Sequence, residues 1–221
     1  VAIIGAGVVG SALFRELGKY RLSTVLIEKE NDVALGCSRA NSAIVHAGYD
    51  PPTGTFMARF NVQGNRMYPA LCEELSVPFR KNGSLIVALT NEELPHLHQL
   101  LENGKRNGVE GLELLNAEEV HRREPKLNEA ICGALLAPTG GIVGAYEFTI
   151  ALAENGVMNG GEVLLNAEVV KIEKVDESGT TLKDTKKNGS FRISLANGSV
   201  VYSRYIVNAA GIFSDSVQQM I

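Results

Sequence analysis

From its first residue, this chain alternates short apolar runs with segments in which apolar residues recur at helical spacing. An apolar run at 1–4 enters a glycine-rich turn, a helical pattern covers 9–19, and a second apolar run covers 24–28. Apolar residues at steps near 3.6 are typical of an amphipathic helix, and short apolar runs bounded by turn residues are typical of buried strands. The order strand, helix, strand therefore predicts a βαβ unit with parallel strands.

The rest of the pattern continues as a mixture of helices and strands. We expect helices at 53–75, from 91 to about 108, at 117–123, at 146–158 and from 214 onward. We expect strands at 79–89, 112–115, 130–137, 162–165, 166–175, 191–195 and 200–207. The segment 138–141 predicts a turn, and the charged segment 176–190 predicts a solvated loop.

This order of elements predicts an α/β chain with two domains. Residues 1–77 form the first part of a Rossmann-like nucleotide-binding domain, and residues 144–221 form its second part. Residues 78–143 form an inserted α+β substrate domain. A discontinuous layout of this kind predicts a ligand cleft between the two domains.

Composition and charge exclude several classes of protein. The net charge is −4 without a basic cluster, which argues against a nucleic-acid partner. No run of 18 apolar residues occurs, so no transmembrane segment is expected, which leaves peripheral association with a membrane open. Cys37, Cys72 and Cys132 are odd in number and scattered, which predicts free thiols in a reducing cytoplasm. His96 and His98 are two residues apart and diverge on a helix, so no metal site is expected.

The glycine turn after the first strand carries the clearest chemistry. In a Gly5-x-Gly7-x-x-Gly10 turn the first glycine permits the bend, the second lets the backbone approach a pyrophosphate, and the third lets the helix pack on the strand. Glu28 ends the next strand at the spacing of an acid that binds ribose hydroxyls, and its charge would repel the 2′-phosphate of NADP. The candidate cofactor-binding residues of this stretch are Gly5, Gly7, Val9, Gly10, Glu28 and Lys29.

A loop of small and polar residues at 36–48 follows the βαβ unit. Its N–H and hydroxyl groups can face phosphates or the edge of a ring. His46 is the residue of this loop that titrates near neutral pH, and it either takes the proton of an alcohol or holds the loop. Near the end of the chain, small residues at 208–211 follow a predicted strand, where they would let a cofactor approach the backbone closely.

Four stretches of the chain resemble flavin-dependent oxidoreductases of the D-amino-acid oxidase superfamily. Within it, the sequence looks most like flavin-dependent glycerol-3-phosphate dehydrogenases of the anaerobic type, with L-2-hydroxyglutarate oxidases a near second. The stretches are the glycine turn with Glu28-Lys29, Ser38-Arg-Ala-Asn-Ser42-Ala-Ile-Val-His46-Ala-Gly48, Asn166-x-x-Val169-x-x-Ile172, and Asn208-Ala-Ala-Gly211-Ile-Phe-Ser-Asp215.

The resemblance implies FAD, rather than NAD, as the cofactor. It places the 36–48 loop beside the flavin ring, gives the backbone of Val169 a contact with the adenine, and makes His46 the candidate catalytic residue. The further cofactor-binding candidates that it implies are Ser38, Arg39, Asn41, Ser42, Val169, Ala209, Ala210 and Gly211.

The resemblance also implies a reaction and a longer protein. We expect oxidation of a small anionic alcohol, most simply sn-glycerol 3-phosphate to dihydroxyacetone phosphate, with an unidentified electron acceptor. The alternatives are an L-2-hydroxyacid or amine oxidase on the same scaffold and a non-catalytic nucleotide-binding module. Such enzymes are roughly twice this length, so we expect the 221 residues to be truncated at the C-terminus and to be inactive alone. The sequence leaves the oligomeric state undetermined.

Overall fold

The computed structural model describes residues 1–176, 180–182 and 189–221. The strands are β1 (Ala2–Ile4), β2 (Val25–Ile27), β3 (Ile44–Val45), β4 (Phe79–Arg80), β5 (Ser84–Ala88), β6 (Glu113–Asn116), β7 (Gly133–Ala137), β8 (Gly141–Val143), β9 (Glu162–Leu164), β10 (Val169–Val175), β11 (Ser190–Leu195), β12 (Val200–Ser203) and β13 (Ile206–Asn208). The helices are α1 (Val8–Leu17), α2 (Phe56–Glu74), α3 (Leu94–Asn107), α4 (Ala117–Arg123), α5 (Ala145–Met158) and α6 (Ser214–Gln218).

The chain divides into two compact units, the first of which is discontinuous. Unit 1 comprises Val1–Ser42 and Ala145–Ile221, and unit 2 comprises Ala43–Gly144. The second boundary lies within a residue of the predicted one, whereas the first lies at residue 42 instead of residue 77. Residues 43–77 belong to unit 2 because β3 pairs with β8 and α2 packs against β4 and α3.

Unit 1 is built on a parallel sheet with the strand order β13-β1-β2-β9. Helices α1 and α5 pack on one another, and with the sheet they bury a core that includes Ile3, Phe14 and Leu26. The antiparallel strands β10, β11 and β12 form a second sheet, whose core residues Val169 and Ile193 pack in the same cluster as residues of β1 and β2. Unit 1 therefore has the predicted α/β architecture.

Unit 2 contains two antiparallel three-stranded sheets and helices α2, α3 and α4. The sheet orders are β3-β8-β4 and β5-β7-β6. Helix α3 packs on β5, β6 and β7, and Leu97 is buried with Leu135. Gly108 ends α3 in the left-handed conformation, at φ +83°, and a capping box at Asn116 begins α4. Both helix boundaries agree with the sequence pattern.

Several elements differ from the predicted ones. Strand β8 begins at Gly141, inside the predicted turn. The predicted strand 200–207 is two strands, and the second of them, β13, joins the parallel sheet of unit 1 instead of continuing the hairpin. The predicted solvated loop at 176–190 lies largely outside the described residues. In the part of the chain that the structure describes, no helix is long and apolar enough to cross a membrane.

Candidate cofactor-binding site

In the parallel sheet of unit 1, the order in which strands are added along the sheet reverses at β1. From β1 the chain passes through α1 to β2 on one side, and it returns much later to place β13 on the other side. In open α/β sheets ligands bind outside the carboxyl ends of the strands at such a switch point. The carboxyl ends of β1 and β13 are joined there by the Ala209 N–H, which donates to the Ile4 carbonyl at 2.9 Å.

The glycine turn lies directly after β1 and is tightly packed. Gly5 has φ +101°, and its N–H donates to the Ile27 carbonyl at 2.8 Å. A Cβ at Gly5 would lie 2.5 Å from the Ala209 oxygen, and a Cβ at Gly10 would overlap the Gly5 oxygen. These positions need glycine because neighbouring backbone fills the space that a side chain would take.

The N-terminus of α1 points its amides out of this turn. Ser38 Oγ accepts a hydrogen bond from the Val8 N–H at 2.9 Å. The N–H groups of Gly7, Val9 and Gly10 have no hydrogen-bond partner among the described residues, and the Val9 side chain is exposed. Free amides at a helix N-terminus carry positive partial charge and suit an anion such as a phosphate.

The Glu28 carboxylate is held at the end of β2 by two main-chain groups. The Ala6 N–H donates to Oε2 at 2.7 Å, and the Glu30 N–H donates to Oε1 at 3.0 Å. Each carboxylate oxygen keeps a further lone pair for a hydroxyl donor. The bond from Ala6 was absent from the sequence prediction because a main-chain amide leaves no signal in the sequence.

Lys29 contacts the turn that follows β13. Its Nζ lies 4.1 Å from the centre of the Phe213 ring and 3.5 Å from Glu30 Oε1. A cation over an aromatic face is attracted by the ring electrons. In this structure Lys29 therefore joins the end of β2 to the 211–213 turn, and its predicted role toward a cofactor stays a prediction.

The loop after β2 is held by its own side chains. Asn41 Nδ2 donates to the Ser38 carbonyl at 2.9 Å and to the Cys37 carbonyl at 3.3 Å. The Arg39 N–H donates to the Gly36 carbonyl, and the Arg39 and Ser42 side chains are exposed. Ser38 thus connects this loop to the start of α1 through the bond from the Val8 N–H.

Val169 begins β10 and is buried in the same cluster as Ile27. It pairs with Leu195, and the register shifts between Val169 and Lys171. The Ala167 N–H donates to the Glu28 carbonyl at 2.8 Å, which brings the segment before Val169 to the end of β2. Main-chain groups at a ladder irregularity are less regularly paired, which suits the predicted backbone contact.

The small residues after β13 complete the switch point. The Ala210 N–H donates to Asn208 Oδ1 at 3.3 Å, and Asn208 Nδ2 donates to the Ser214 carbonyl at 2.6 Å. Gly211 is exposed at φ +57°, and a Cβ there would meet nothing within 4 Å. The positive φ favours glycine at position 211. The close approach of cofactor phosphates to Gly211 stays a prediction.

His46 lies in unit 2, just after β3, and its side chain is exposed. Its carbonyl accepts a hydrogen bond from Asn65 Nδ2 at 3.0 Å, and the same nitrogen donates to the Thr139 carbonyl at 2.8 Å. All of the predicted cofactor residues thus lie in unit 1, whereas the candidate catalytic residue lies in unit 2. Their roles toward a cofactor and a substrate stay predictions. Among the described residues, no group of His, Cys, Asp and Glu side chains could hold a metal ion.

Comparison with known proteins identifies the family. The family model described as DAO, FAD dependent oxidoreductase, matches residues 1–221. The chain belongs to this family. Members are FAD-dependent oxidoreductases, which confirms the predicted family and the predicted cofactor.

Two kinds of enzyme stand among its relatives. The chain is 47% identical over 221 residues to a glycerol 3-phosphate dehydrogenase from Caloramator mitchellensis. The aligned region covers all of this chain and 43% of that protein. It is 33% identical over 222 residues to the mitochondrial L-2-hydroxyglutarate dehydrogenase of Mus musculus. That alignment covers 98% of this chain and 47% of the mouse protein. The chain thus spans about half the length of the curated relatives it matches.

Solved structures agree with the family. The L-alpha-glycerophosphate oxidase from Mycoplasma pneumoniae, solved in a reduced form with FAD bound, has a TM-score of 0.88 and 27% identity and covers 99% of this chain and 56% of its own. Glycine oxidase from Geobacillus kaustophilus has a TM-score of 0.86 and 25% identity, and the matched region covers 99% of this chain and 57% of the glycine oxidase chain. The α/β FAD-binding fold is therefore confirmed.

The residues of the switch point fit the FAD dinucleotide. Gly5 and Gly10 allow the tight packing of the turn against its neighbouring backbone, which places the N-terminus of α1 at the switch point. The free amides of α1 suit the pyrophosphate, and the ordered Glu28 carboxylate suits ribose hydroxyls.

Proposed function

We propose that the protein carrying this sequence oxidises sn-glycerol 3-phosphate to dihydroxyacetone phosphate with FAD as cofactor. The observation that carries the proposal is the 47% identity, along the whole chain, to a glycerol 3-phosphate dehydrogenase. Identity to the mouse L-2-hydroxyglutarate dehydrogenase is 33% over a similar span. The structural similarity to an L-alpha-glycerophosphate oxidase supports the same substrate class.

Unit 1 supplies the binding site for the adenosine half of FAD in this proposal. The α1 amides at Gly7, Val9 and Gly10 bind the pyrophosphate, Glu28 accepts hydrogen bonds from ribose hydroxyls, and the backbone of Val169 contacts the adenine. Ala209, Ala210 and Gly211 give the cofactor close access to the backbone, while Lys29, Ser38, Arg39, Asn41 and Ser42 surround it. When bound, FAD supplies the acceptor for the two electrons that leave the alcohol carbon.

His46 is the proposed general base. Oxidation of a secondary alcohol requires removal of the hydroxyl proton, and a neutral imidazole nitrogen can take that proton near neutral pH. The exposed side chain and the anchored main chain of His46 support this role, because a base must reach solvent and substrate while its position stays fixed. A small anionic substrate and an unidentified electron acceptor complete the proposed reaction.

Oxidation of an L-2-hydroxyacid is the second candidate. It is favoured by the relatives named L-2-hydroxyglutarate dehydrogenase, which match this chain at 30–34% identity. Glycerol 3-phosphate and 2-hydroxyglutarate are both anionic secondary alcohols, so the same base and the same cofactor serve either substrate. The two differ in the anionic group that the enzyme must recognise.

The decisive experiment is an anaerobic titration of the whole flavoprotein with each substrate. Bleaching of the flavin absorbance by glycerol 3-phosphate, at concentrations at which L-2-hydroxyglutarate leaves it unchanged, supports the proposal. The reverse preference overturns the substrate, and bound flavin that neither these substrates nor amino acids reduce favours a non-catalytic module. His46→Asn should lose roughly 10²–10⁴-fold in reduction rate, the contribution of a general base. His121→Asn, in helix α4, serves as the matched control.

A further inference from the structure

Side-chain carboxamides hold the carbonyls of the segment 46–51, which carries His46. Asn107 Nδ2 donates to the Gly48 carbonyl at 2.9 Å and to the Pro51 carbonyl at 2.8 Å. Asn103 Nδ2 donates to the Tyr49 carbonyl at 2.7 Å and also to the Pro51 carbonyl at 2.8 Å. We call Asn103 and Asn107 the amide clamp; with the bond from Asn65 to His46, it satisfies four carbonyls of an irregular segment.

Helix α3 is built to bring the clamp close to this segment. Asn103 and Asn107 are four residues apart, so they lie on one face of the helix. Gly104 lies between them, where helix α3 packs against the segment 46–51. A Cβ at Gly104 would be 2.9 Å from Tyr49 Cβ and 3.1 Å from Tyr49 Cα. Glycine is unfavourable inside a helix, and here it permits the helix backbone to touch the loop.

The orientation of both carboxamides is fixed. Thr53 Oγ1 donates to Asn103 Oδ1 at 2.9 Å, which turns the Asn103 amide nitrogen toward the loop carbonyls. Asn107 Oδ1 is buried and has no hydrogen-bond partner among the described residues. Leaving a buried acceptor without a partner is unfavourable. The favourable contribution of the Asn107 carboxamide therefore comes from the two bonds that its N–H groups donate.

We propose that Asn103 and Asn107 are positioning residues that set the place of His46 for proton removal. This inference rests on the proposed function, in which His46 is the base. The clamp acts by fixing the main chain two to five residues after His46, while Asn65 fixes the carbonyl of His46 itself. A displacement of a reacting group by about 1 Å can lower a rate roughly 100-fold.

The test replaces donors by acceptors without changing side-chain shape. Asn103→Asp and Asn107→Asp, singly and together, are compared with Gln99→Glu in the whole flavoprotein. Gln99 is an exposed residue of the same helix that makes no hydrogen bond to the segment 46–51 among the described residues, so its variant makes the same chemical change without removing a clamp bond. We expect kcat for glycerol 3-phosphate to fall roughly 10- to 100-fold in the double variant, with KM and FAD content unchanged. The Gln99→Glu variant should behave as the parent does.

Two further measurements separate positioning from general loss of structure. Amide hydrogen exchange of the segment 46–52 should become about tenfold faster in Asn107→Asp, while strands β5 and β7 keep their protection. In a His46→Asn background, Asn107→Asp should cause no further loss of kcat, because a positioning residue acts through the base. Thr53→Val, a nearly isosteric change, should produce a smaller loss of kcat in the same direction.

The outcomes distinguish this inference from the function on which it rests. If His46→Asn keeps its kcat, the base assignment fails and the inference fails with it. If His46→Asn loses kcat but the clamp variants keep it, or if Asn107→Asp and His46→Asn have additive effects, the proposed function stands and the positioning role is overturned. If the Asp variants fail to fold, the kcat of Thr53→Val and its additivity with His46→Asn decide the question.

Discussion

The Glu28 carboxylate and the Ala6 main-chain N–H are joined by a 2.7 Å hydrogen bond. The acid at the end of β2 is thereby attached to the glycine turn at the end of β1. Two parts of the proposed FAD site, one for the ribose and one for the pyrophosphate, are therefore coupled before any ligand binds. Preorganisation of this kind lowers the entropic cost of binding.

Replacing Glu28 by Gln should weaken FAD binding. Both carboxylate oxygens accept from main-chain N–H groups, and a carboxamide would turn its own N–H groups toward one of these donors. The loss should be about 1.5–3 kcal/mol, the range for hydrogen bonds to charged groups, which corresponds to roughly a 10- to 150-fold higher Kd. Titration of the apoprotein with FAD measures it. Glu30→Gln is the control, and equal Kd values for Glu28→Gln and the parent would refute the ribose role.

Two Gly→Ala changes should have opposite effects on stability. At Gly10 the new Cβ would overlap the Gly5 oxygen, so α1 must move away from β1, at a cost of about 1–3 kcal/mol. At Gly64, inside helix α2, a Cβ would meet nothing within 4 Å, so alanine should stabilise by about 0.5–1 kcal/mol. Urea unfolding midpoints measure both. A Gly10→Ala protein as stable as the parent would show that the turn is less tightly packed than described.

Replacing Ser38 by Ala should destabilise the start of α1. The Ser38 hydroxyl oxygen is the acceptor for the Val8 N–H, and loss of such a helix-start bond costs about 0.5–2 kcal/mol. Thermal unfolding of the apoprotein measures the change. Ser42→Ala, at an exposed position near the end of the same loop, should leave Tm unchanged. The same Tm for both variants would mean that water replaces the Ser38 hydroxyl.

Cys37 and Cys72 should react with iodoacetamide at very different rates. Burial raises the pKa of the Cys72 thiol, so less of the reactive thiolate forms, and the side chain is also shielded from the reagent. Cys37 is exposed in the loop after β2. Mass spectrometry of the protein modified at pH 8 should show label at Cys37 long before Cys72. Rapid labelling of Cys72 without urea would contradict the burial.

Tyr68 should make the protein less stable in alkali. Burial raises the pKa of its phenol above the ordinary 10.0, with Cys72 adding to the shift. Its contribution to stability is complete below the unfolded pKa and is lost as pH rises through the folded pKa, because the unfolded chain ionises first. The free energy of unfolding should therefore fall above about pH 10. Tyr68→Phe keeps the ring and should flatten this fall; an unchanged slope would assign it to other groups.

The local part of this fold could be predicted from sequence, and the long-range part could not. The βαβ unit, the glycine turn and the ends of α3 and α4 follow from periodicity and capping residues a few positions apart. In α2, by contrast, the apolar residues Phe56 and Phe60 are exposed, whereas Val62 and Asn65 are buried. The buried face of α2 is set by contacts with distant segments, which a hydrophobic period does not record.

The same distinction applies to the site. Gly5, Gly10 and Glu28 were predictable because main-chain geometry and strand order restrict the residue type at these positions. Asn65, Asn103 and Asn107 were not, because their partners are main-chain carbonyls 19–74 residues away. Every residue has such a carbonyl, so the sequence does not show which ones will accept these bonds. The domain boundary at residue 42 was missed for a related reason, since pairing of β3 with β8 fixes it.

The pairing of β1 with β13 has a consequence for how the chain folds during its synthesis. Strand β1 ends at Ile4 and its partner ends at Asn208, so 208 − 4 = 204 residues must be added before one edge of β1 is covered. At ribosomal rates of about 5–20 residues per second, this takes roughly 10–40 s. All of Ala43–Gly144 is made within that interval and can complete its own contacts first. The apolar strand β1 therefore stays without its β13 partner throughout the synthesis of unit 2.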